Sequence, residues 1–597
     1  MIKILKDKLP TNSVLRIWII GAILITSLGL FFPVFASNDA VFYALIAKHI
    51  AQTNDWVDLI YNNQDWLDKP HLPFWLIALS YKIFGISVFS YILPGFIFNL
   101  IGAYFTYKLA LKLYSRPVAL FATLFYLTSL HLMLSAIDVR QEAYLLGEIM
   151  PACYFWLNYD ELEDSTIHSK YLYLGAFFTA LAMMTKGIFV LVVIFGGLVF
   201  KWWYDKNLRN LIHKKWLIAL ALSFIFILPE LICLYLQFDL HPEKVIYGHT
   251  NVSGVEFFFW GSQFGRFFDN GPIKSVSHDH FAHYFFFVHT YLWAVLPWTI
   301  FFIAALFGMR SDFSYKLELP KLRTELENHI YLLGSFIPAF VLFSLTNFQL
   351  DHYTNIIIPF GSIIAANWVF NKANRLDDNH PIFFIQIAIG FILLSLAVIL
   401  AILVLSSGWL YVYLVCCGGA LALFLVLLHN HGLLKAIVYP FLAILLAFGF
   451  VTLVNGTIYK KYDAGYQISQ ELKELKPSPV IDFKTFLNPL AFNSNQVSVT
   501  EDPDDLVFLS PPYYLVITAG NWDKLNYMFG DAQIIKHFDF IPQRKFVSIL
   551  FNDKVKNTSM VDILLIQINS EVVDKLDMLE VNQIILKTDP DYLQDIK

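Results

Sequence analysis

Three charged side chains stand in the segment that follows the first apolar run of the chain. Asp39 comes directly after residues 17–36, which contain no Asp, Glu, Lys or Arg, and Asp68 and Lys69 stand further along. A carboxylate can accept a proton, and an ammonium group can hold an anion. Charge beside a membrane carries a high desolvation cost, so these residues indicate a functional site.

The composition of the 597-residue chain is typical of a polytopic membrane protein. Hydrophobic residues make up 57% of it and charged residues 15%, and the mean hydropathy is +0.57. These values lie outside the usual range of soluble globular domains. Residues 381–459 contain one charged residue, Lys435, and are long enough for three spans of about 20 residues each. The sequence has no basic, aromatic-rich patch, so nucleic acid is not expected as a partner.

The apolar runs predict a mainly α-helical protein with about thirteen transmembrane helices. They fall near residues 14–36, 88–113, 117–136, 142–158, 170–185, 187–204, 215–237, 284–308, 329–346, 352–371, 382–405, 408–428 and 435–455. The start of the chain also has features of a secretory signal, but its apolar run is long and favours an uncleaved anchor. Basic residues gather on one side of this arrangement, which should be cytoplasmic. The N-terminus is then cytoplasmic and the C-terminus extracytoplasmic.

The predicted topology leaves three segments outside the membrane, at residues 37–87, 238–283 and 456–597. The first contains two helical stretches, Ala40–Gln52 and Pro73–Phe84, each apolar on one face and suited to the membrane interface. The last is polar and contains a helix-like run, Ile468–Leu475, and two strand-like runs, Tyr513–Thr518 and Phe546–Phe551, which predicts a small α/β domain. We therefore expect a transmembrane domain at 1–455 and an extracytoplasmic α/β domain at 456–597.

Short motifs follow one another along residues 10–370. They are Asp39, Tyr43, Asn54-Asp55-Trp56, Asp68-Lys69-Pro70-His71-Leu72-Pro73-Phe74-Trp75, Thr185-Lys186-Gly187, Leu296-Pro297-Trp298, Phe343-Ser344-Leu345, His352-Tyr353 and Pro359. In this order they resemble the GT-C membrane glycosyltransferases of family 39, bacterial members of which modify lipid A with aminoarabinose and relatives of which mannosylate proteins. Several matches in order are specific, whereas one alone would be weak. The resemblance implies the GT-C fold.

The resemblance also implies a reaction and roles for particular residues. A monosaccharide would pass from a polyprenyl-phosphate donor to a lipid, protein or glycan acceptor at the outer face of a bacterial inner membrane. Asp39 would be the catalytic base of an inverting single displacement. The substrate-binding residues would be Lys69, Arg266, Asp68, Tyr43, Lys186, His352 and Tyr353. Among these, Lys69 and Arg266 would hold the departing phosphate.

Departures from the family pattern leave the substrate open and a metal site doubtful. Where aminoarabinose transferases have Glu-His before the arginine, this chain has Ser262-Gln263, and their Glu-Lys-Pro-Pro reads Asp68-Lys69-Pro70-His71 here. Asp351 replaces a proline of the later motif. No cofactor is predicted with certainty; a divalent metal is possible. The run His278-Asp279-His280 with His283 has metal-ligand spacing, but an interfacial histidine cluster explains it better.

Other interpretations of the same residues have to be weighed. Asp39 could cap the helix that begins at Ala40, Lys69 could be an interfacial anchor, and Arg140 with Glu142 could form an ordinary ion pair as well as line a cavity. Two other classes of protein also fit a multi-span chain. One is a polyprenyl-lipid transporter or flippase, and the other is a non-catalytic scaffold that binds a lipid-linked sugar.

Overall fold

The computed structural model describes residues 9–31, 35, 37–162, 169–265, 267–268, 280–315, 320–346, 348–404, 407–426, 431–454, 462–494, 497–500, 502, 505–506, 508–541 and 560–570. These ranges are mainly helical. The α-helices are α1 (Asn12–Phe31), α2 (Asn38–Thr53), α3 (Leu72–Phe84), α4 (Val88–Leu113), α5 (Arg116–Leu127), α6 (Leu130–Ser135), α7 (Gln141–Asp160), α8 (Lys170–Lys186), α9 (Val190–Tyr204), α10 (Lys214–Phe226), α11 (Leu228–Leu234), α12 (Gly254–Glu256), α13 (His280–Ala294), α14 (Thr299–Tyr315), α15 (Pro320–Leu345), α16 (Ile358–Asn371), α17 (Pro381–Val404), α18 (Ser407–Val426), α19 (Gly432–Val454), α20 (Ala464–Glu474), α21 (Asn488–Asn493) and α22 (Ala519–Leu525). A 3₁₀ helix, Asp351–Ile357, leads into α16.

The helices confirm a multi-pass membrane protein. Within the described residues, six helices are long and apolar enough to cross a membrane, and two bent pairs raise that number to as many as eight. Helix α4 spans the predicted 88–113, and α7, α8 and α17 lie within two residues of their predicted ends. Helix α5 and helix α9 are apolar but shorter.

Three of the predicted spans are not single straight helices. The run at 284–308 divides into α13 and α14, which meet at 115°, and the run at 215–237 divides into two helices bent by 43°. Proline explains both breaks, because Pro297 and Pro229 have no N–H and disfavour helical backbone in the preceding residue. The run at 117–136 also divides, into α5 and α6. There the backbone N–H of Leu130 donates to the carbonyl of Leu296 at 2.8 Å. This hydrogen bond joins the break between α5 and α6 to the break between α13 and α14.

The segment after α1 contains both helices that the sequence predicts, α2 and α3. Between them lies a short β-hairpin, in which a two-residue turn joins β1 (Ile60–Tyr61) to β2 (Gln64–Asp65). Ser37 is the N-cap of α2, since its Oγ accepts the backbone N–H of Ala40. The apolar faces of α2 and α3 share a buried core with the start of α4. This segment is therefore a packed unit that holds its charged residues at fixed positions.

The C-terminal part contains a mixed five-stranded sheet with helices on both faces. The strands are β3 (Val480–Phe483), β4 (Val497–Thr500), β5 (Tyr513–Thr518), β6 (Ala532–Phe540) and β7 (Val561–Ile568), in the spatial order β4-β3-β5-β7-β6. Strands β4, β3 and β5 are parallel, whereas β7 runs antiparallel to both of its neighbours, β5 and β6. Helix α20 and strand β5 match predicted runs. A third predicted run, at 546–551, lies outside the described residues.

A buried lysine joins this C-terminal part to α2. The ammonium group of Lys48, 6% exposed, donates to the backbone carbonyls of Ala491, Phe492 and Ser494 at 2.8–2.9 Å. These are the last carbonyls of α21 and the residue after it, which have no partner within the helix. The ring of Phe492 enters the core formed by α2 and α3. A charge and an aromatic ring together fix the C-terminal sheet against α2.

We expect Lys48→Met to loosen this contact, because the methionine fills the same space but leaves three buried carbonyls without donors. Hydrogen bonds to a charged group contribute about 2 kcal/mol, so local opening should become about 30-fold more frequent. Hydrogen exchange of the amides of α21 measures this directly. Lys82→Met is the control, because Lys82 is an exposed lysine of the same outer segment. Equal exchange in the two variants would contradict the role given to Lys48.

Candidate functional site

The candidate base Asp39 lies in the first turn of α2 and forms an ion pair with Arg140. Its Oδ2 is 3.3 Å from one terminal nitrogen of Arg140, and about half of the carboxylate side chain is exposed. Asp138 binds the same guanidinium through Nε at 3.1 Å and accepts the hydroxyl of Ser37 at 2.6 Å. Because Ser37 caps α2, Asp39 is not the N-cap, and the capping interpretation is wrong.

A chain of polar contacts leads from Arg140 to Lys186. Nδ1 of His352 lies 3.1 Å from a terminal nitrogen of Arg140 and 3.1 Å from Oδ1 of Asp351. Nε2 faces Oε2 of Glu142 at 3.8 Å, and the other oxygen of Glu142 accepts from Lys186. Glu142 is almost fully buried, and the Lys186 ammonium lies 4.0 Å from the ring centre of Tyr353. The cluster therefore spans four separate elements of the chain.

Beside Lys186 there is a cavity of about 350 Å³. Lys69, paired with Asp68 at 2.7 Å and 14% exposed, stands at its wall together with Lys186 and Tyr353. Most of the other walls are apolar. They are formed by Ile188, Phe189, Val192, Phe264, Phe267, Phe268, Leu342, Phe343 and Phe348. Two lysine ammonium groups, each paired with a carboxylate, and otherwise mostly apolar walls suit an amphiphile with an anionic head. We call this the cationic cavity.

The motif Thr185-Lys186-Gly187 has a structural reason at each position. Thr185 donates its hydroxyl to buried Glu148 at 2.8 Å, and Lys186 bonds to Glu142. Gly187 has φ +92°, and a Cβ there would lie 2.2 Å from the amide of Gln263. Only glycine fits both the backbone angle and this approach. The motif thus ends α8 and points Lys186 at the cationic cavity.

A second cavity, of about 240 Å³, lies on the Arg140 side of the cluster. It is lined by His131, Leu134, Ser135, Ile137, Asp138, Arg140, Trp293, Asp351 and His352. Consecutive residues of the 3₁₀ helix separate the two cavities, since His352 lines this one and Tyr353 lines the cationic one. Its walls carry carboxylate, guanidinium, imidazole and indole groups. We call it the polar cavity.

The other predicted site residues fall in several places. The Tyr43 ring packs against Phe74, with ring centres 5.5 Å apart, one helical turn after Asp39. Arg266 lies outside the described residues, as do the side chains of the run at 278–283. In the parts that the structure describes, no group of three or more His, Cys, Asp or Glu is arranged to hold a metal ion.

The residues that replace the family's Glu-His do not fit a divalent metal. The amide of Gln263 donates to Ser262 Oγ at 2.7 Å and to the carbonyl of Lys186 at 3.3 Å. A neutral amide and a hydroxyl that bond to each other are poor ligands beside the carboxylates and imidazoles that such metals prefer. No step of the reaction is assigned to a metal here.

His71, which replaces a proline of the family motif, forms a buried pair with Glu230. Both side chains are fully buried; Nδ1 lies 3.0 Å from Glu230 and Nε2 lies 2.8 Å from Val57 O. Both partners are acceptors, so the imidazole is protonated. Burial alone would lower the pKa of His71, but the charge and hydrogen bonds of Glu230 raise it overall. This pair fixes the start of α3, two residues after Lys69.

We expect His71→Ala and Glu230→Ala each to destabilise the protein by about 3 kcal/mol, because each leaves a buried charge unpaired. The double variant should lose little more than either single one. Thermal unfolding in detergent measures both. The raised pKa of His71 means that its contribution is complete at acidic pH and declines as the pH rises through that pKa. Additive losses would contradict the pairing.

Sequence reasoning did not identify the residues of the polar cavity as a set. His131 and Asp138 are seven residues apart, whereas Trp293 and Asp351 come from two distant segments, and each of the four has an ordinary structural explanation by itself. The charged run from Asp138 to Glu142, between two apolar stretches, was the available signal. The structure shows that Arg140 and Glu142 both line the connected cluster and form ion pairs.

The chain is similar to several known proteins. Residues 68–233 match the family model described as dolichyl-phosphate-mannose-protein mannosyltransferase. An uncharacterised protein of Aquifex aeolicus is 23% identical over 81% of this chain and 86% of its own length. An undecaprenyl phosphate-alpha-4-amino-4-deoxy-L-arabinose arabinosyl transferase of Enterobacter is 23% identical over 56% of this chain. The chain spans about half the length of the aminoarabinose transferases that it matches.

Among solved structures, ArnT from Cupriavidus metallidurans bound to undecaprenyl phosphate superposes with a TM-score of 0.70. The identity is 17%, and the match covers 93% of this chain and 98% of that one. The fold is therefore the GT-C fold, and the family resemblance expected from the motifs is confirmed. In fold and in motifs, the chain is thus similar to glycosyltransferases of the GT-C class. Among its curated relatives, those of Enterobacter and Pseudomonas aeruginosa carry aminoarabinose transferase names.

Proposed function

We propose that this protein transfers a monosaccharide from a polyprenyl-phosphate donor to an acceptor, with Asp39 as the catalytic base. The observation that carries the proposal is the cationic cavity, where Lys69 and Lys186 border an apolar space large enough for part of a lipid. The phosphate would lie at the two ammonium groups and the prenyl chain along the phenylalanine wall. Asp39 lies at the far end of the contacts that begin at Lys186.

In the proposed reaction, an acceptor oxygen forms a bond to the anomeric carbon as the bond from that carbon to the phosphate oxygen breaks. The bonding electron pair leaves with the polyprenyl phosphate, and Asp39 takes the acceptor's proton. Attack from the side opposite the leaving group inverts the anomeric carbon. Negative charge grows on the phosphate in the transition state, so Lys69 and Lys186 stabilise that state more than the bound donor.

The remaining predicted residues have supporting roles in this proposal. Tyr353 and Asp68 border the phosphate position, and His352 joins that position to Arg140, which orients Asp39. Tyr43 supports α2 behind the carboxylate through its packing on Phe74. Arg266, which follows the π-helical turn Phe257–Gly265, is assigned to the phosphate on the family resemblance.

We place the protein in a bacterial inner membrane with thirteen spans, the N-terminus in the cytoplasm and both the site and the C-terminal domain outside. Helices α2 and α3 would lie at the outer interface. The domain boundary falls at 455/456, where the apolar run ends and polar composition begins. The acceptor is a lipid in this proposal, by likeness to the aminoarabinose transferases; a protein or a glycan is the alternative.

Release of free polyprenyl phosphate tests the reaction. Purified protein would be incubated with membrane lipids that contain lipid-linked sugars, and the released polyprenyl phosphate followed by mass spectrometry. We expect release by the wild-type protein together with a new, heavier acceptor. Redistribution of intact donor between vesicle leaflets without release would instead identify a transporter. Donor binding without release or redistribution would identify a scaffold.

A further inference from the structure

The polar cavity contains side chains that suit the hydroxyl groups of a sugar. Carboxylates accept hydrogen bonds from hydroxyls, a guanidinium donates them, and an indole ring packs on C–H faces; here these groups are Asp351, Arg140 and Trp293. The cavity, of about 240 Å³, is smaller than the cationic cavity and has far fewer apolar walls. The two cavities thus differ in chemistry as the two ends of a lipid-linked sugar do.

The position of the polar cavity also suits a donor whose sugar lies in one cavity and whose phosphate and lipid lie in the other. Arg140 forms part of its wall and also contacts Asp39, so a single residue connects the cavity to the candidate base. His352 and Tyr353 are adjacent in the chain and line different cavities, so a phosphate at Lys186 and a sugar in the polar cavity would be close together. A donor that bridges them would place its anomeric carbon near Asp39.

The charges around the polar cavity favour some sugars over others. Asp39 and Asp138 both contact Arg140, and the carboxylate of Asp351 adds a further negative charge. Three carboxylates therefore surround one guanidinium. A ligand carboxylate placed among them would be repelled, whereas hydroxyl or ammonium groups would be attracted.

Asp351 is the residue of this set whose geometry is most open to a ligand. Its Oδ1 accepts the backbone N–H of His352 at 2.7 Å and lies 3.1 Å from Nδ1 of the same residue, and these two contacts fix the side chain. Its Oδ2 lies 3.8 Å from His131 Nε2, beyond hydrogen-bond distance, and half of the side chain is exposed. The histidine in turn is held by Asn355 through Nδ1 at 2.5 Å. Asp351 thus presents one fixed oxygen to the polar cavity.

We propose that the polar cavity is the subsite for the transferred sugar, and that Asp351 makes it selective for a monosaccharide without negative charge. The proposal rests on the donor-binding function proposed above. It concerns recognition of the sugar alone, since the phosphate and the prenyl chain lie in the cationic cavity. Asp351 is therefore assigned to specificity and not to the chemical step.

Binding of four probes to the purified protein tests the proposal. They are undecaprenyl phosphate without a sugar and the same carrier with glucose, with aminoarabinose or with glucuronic acid, which are neutral, cationic and anionic sugars. We expect the wild-type protein to bind the first two sugar-lipids about 10-fold more tightly than the glucuronate. Asp351→Asn keeps the size and the bond to His352 but removes the charge, so this ratio should fall to about 2, and Asp351→Glu should restore it.

Two comparisons make the result decisive. Glu243→Gln, which removes an exposed carboxylate of the second outer segment, should leave the ratio unchanged. Sugar-free undecaprenyl phosphate should bind equally to all variants. An unchanged ratio in Asp351→Asn, with normal carrier binding, would overturn the sugar subsite alone. A change in the acceptor KM without a change in donor binding would assign the cavity to the acceptor. Failure of the wild type to bind the carrier would refute the proposed function itself.

Discussion

Asp39→Asn is expected to reduce turnover about 1,000-fold while donor affinity changes less than about threefold. Asparagine keeps the shape of the side chain but cannot take the acceptor's proton, and general-base catalysis typically contributes 10²–10⁴-fold. The measurement is release of polyprenyl phosphate at saturating donor, together with donor binding to the resting protein. Turnover should fall with little change in the donor KM, as for a group that acts in the transition state.

The control for this variant is Asp58→Asn, in the same outer segment. The Asp58 carboxylate is 3.9 Å from Lys244 and does not line either cavity, so its loss removes the same charge at another position. We expect near-normal turnover. Arg140 also contacts Asp39, so a misplaced Arg140 could imitate the loss of a base. Asp39→Glu separates the two effects: it should recover part of the activity if the proton acceptor is what matters.

Lys69→Ala has the second largest expected effect, about a 100-fold loss of kcat/KM. An ammonium group at a low-dielectric wall stabilises the charge that develops on the departing phosphate, and removing one such group costs roughly 2.7 kcal/mol. Because the bound donor is already anionic, its affinity should also fall. Steady-state kinetics and binding of undecaprenyl phosphate measure the two parts separately. A loss in kcat alone would place Lys69 away from the bound phosphate.

A matched variant controls for general loss of positive charge in the outer segment. Lys82→Ala removes an ammonium that donates to the side chain of Asn54 and lines neither cavity. Its kinetics should stay within about twofold of wild type. Lys69→Arg provides the complementary comparison, because it keeps the charge but presents it in a planar fork. Intermediate activity in that variant would indicate that charge and position both matter.

The predictability of this fold from sequence depended on whether the signal was local. Helix α4 could be placed at its residues because a long apolar run ends at polar caps. Strand β5 could also be placed from the sequence, because its six consecutive residues are a strand-like run, and all six are buried in the structure. The 115° break between α13 and α14 was missed, although Pro297 marked it, because hydropathy is insensitive to direction. The sequence therefore predicts the length of a helix better than the angle at which that helix meets the next one.

In the candidate site too, residues in local motifs were predicted, and residues that meet only through packing were not. The lysines of the cationic cavity were predicted because each stands in a short motif of consecutive residues, which can be recognised in the sequence alone. The polar cavity was missed because Trp293 and Asp351 meet His131 only after the helices pack, and no local pattern relates them. His71 was taken as a departure that affects substrate recognition. The structure instead pairs it with Glu230, which the sequence places in a distant helix.

Helix α2 connects the candidate base directly to the C-terminal part of the molecule. Asp39 stands in its first turn, and Lys48, nine residues later, holds α21 of the C-terminal sheet. A straight helix of that length separates them by about 13 Å. Binding events at the two ends are thermodynamically linked if either one shifts the helix. A molecule that binds the C-terminal sheet and strengthens its hold on α2 would then alter donor affinity, and the donor would alter the affinity of that molecule by the same factor.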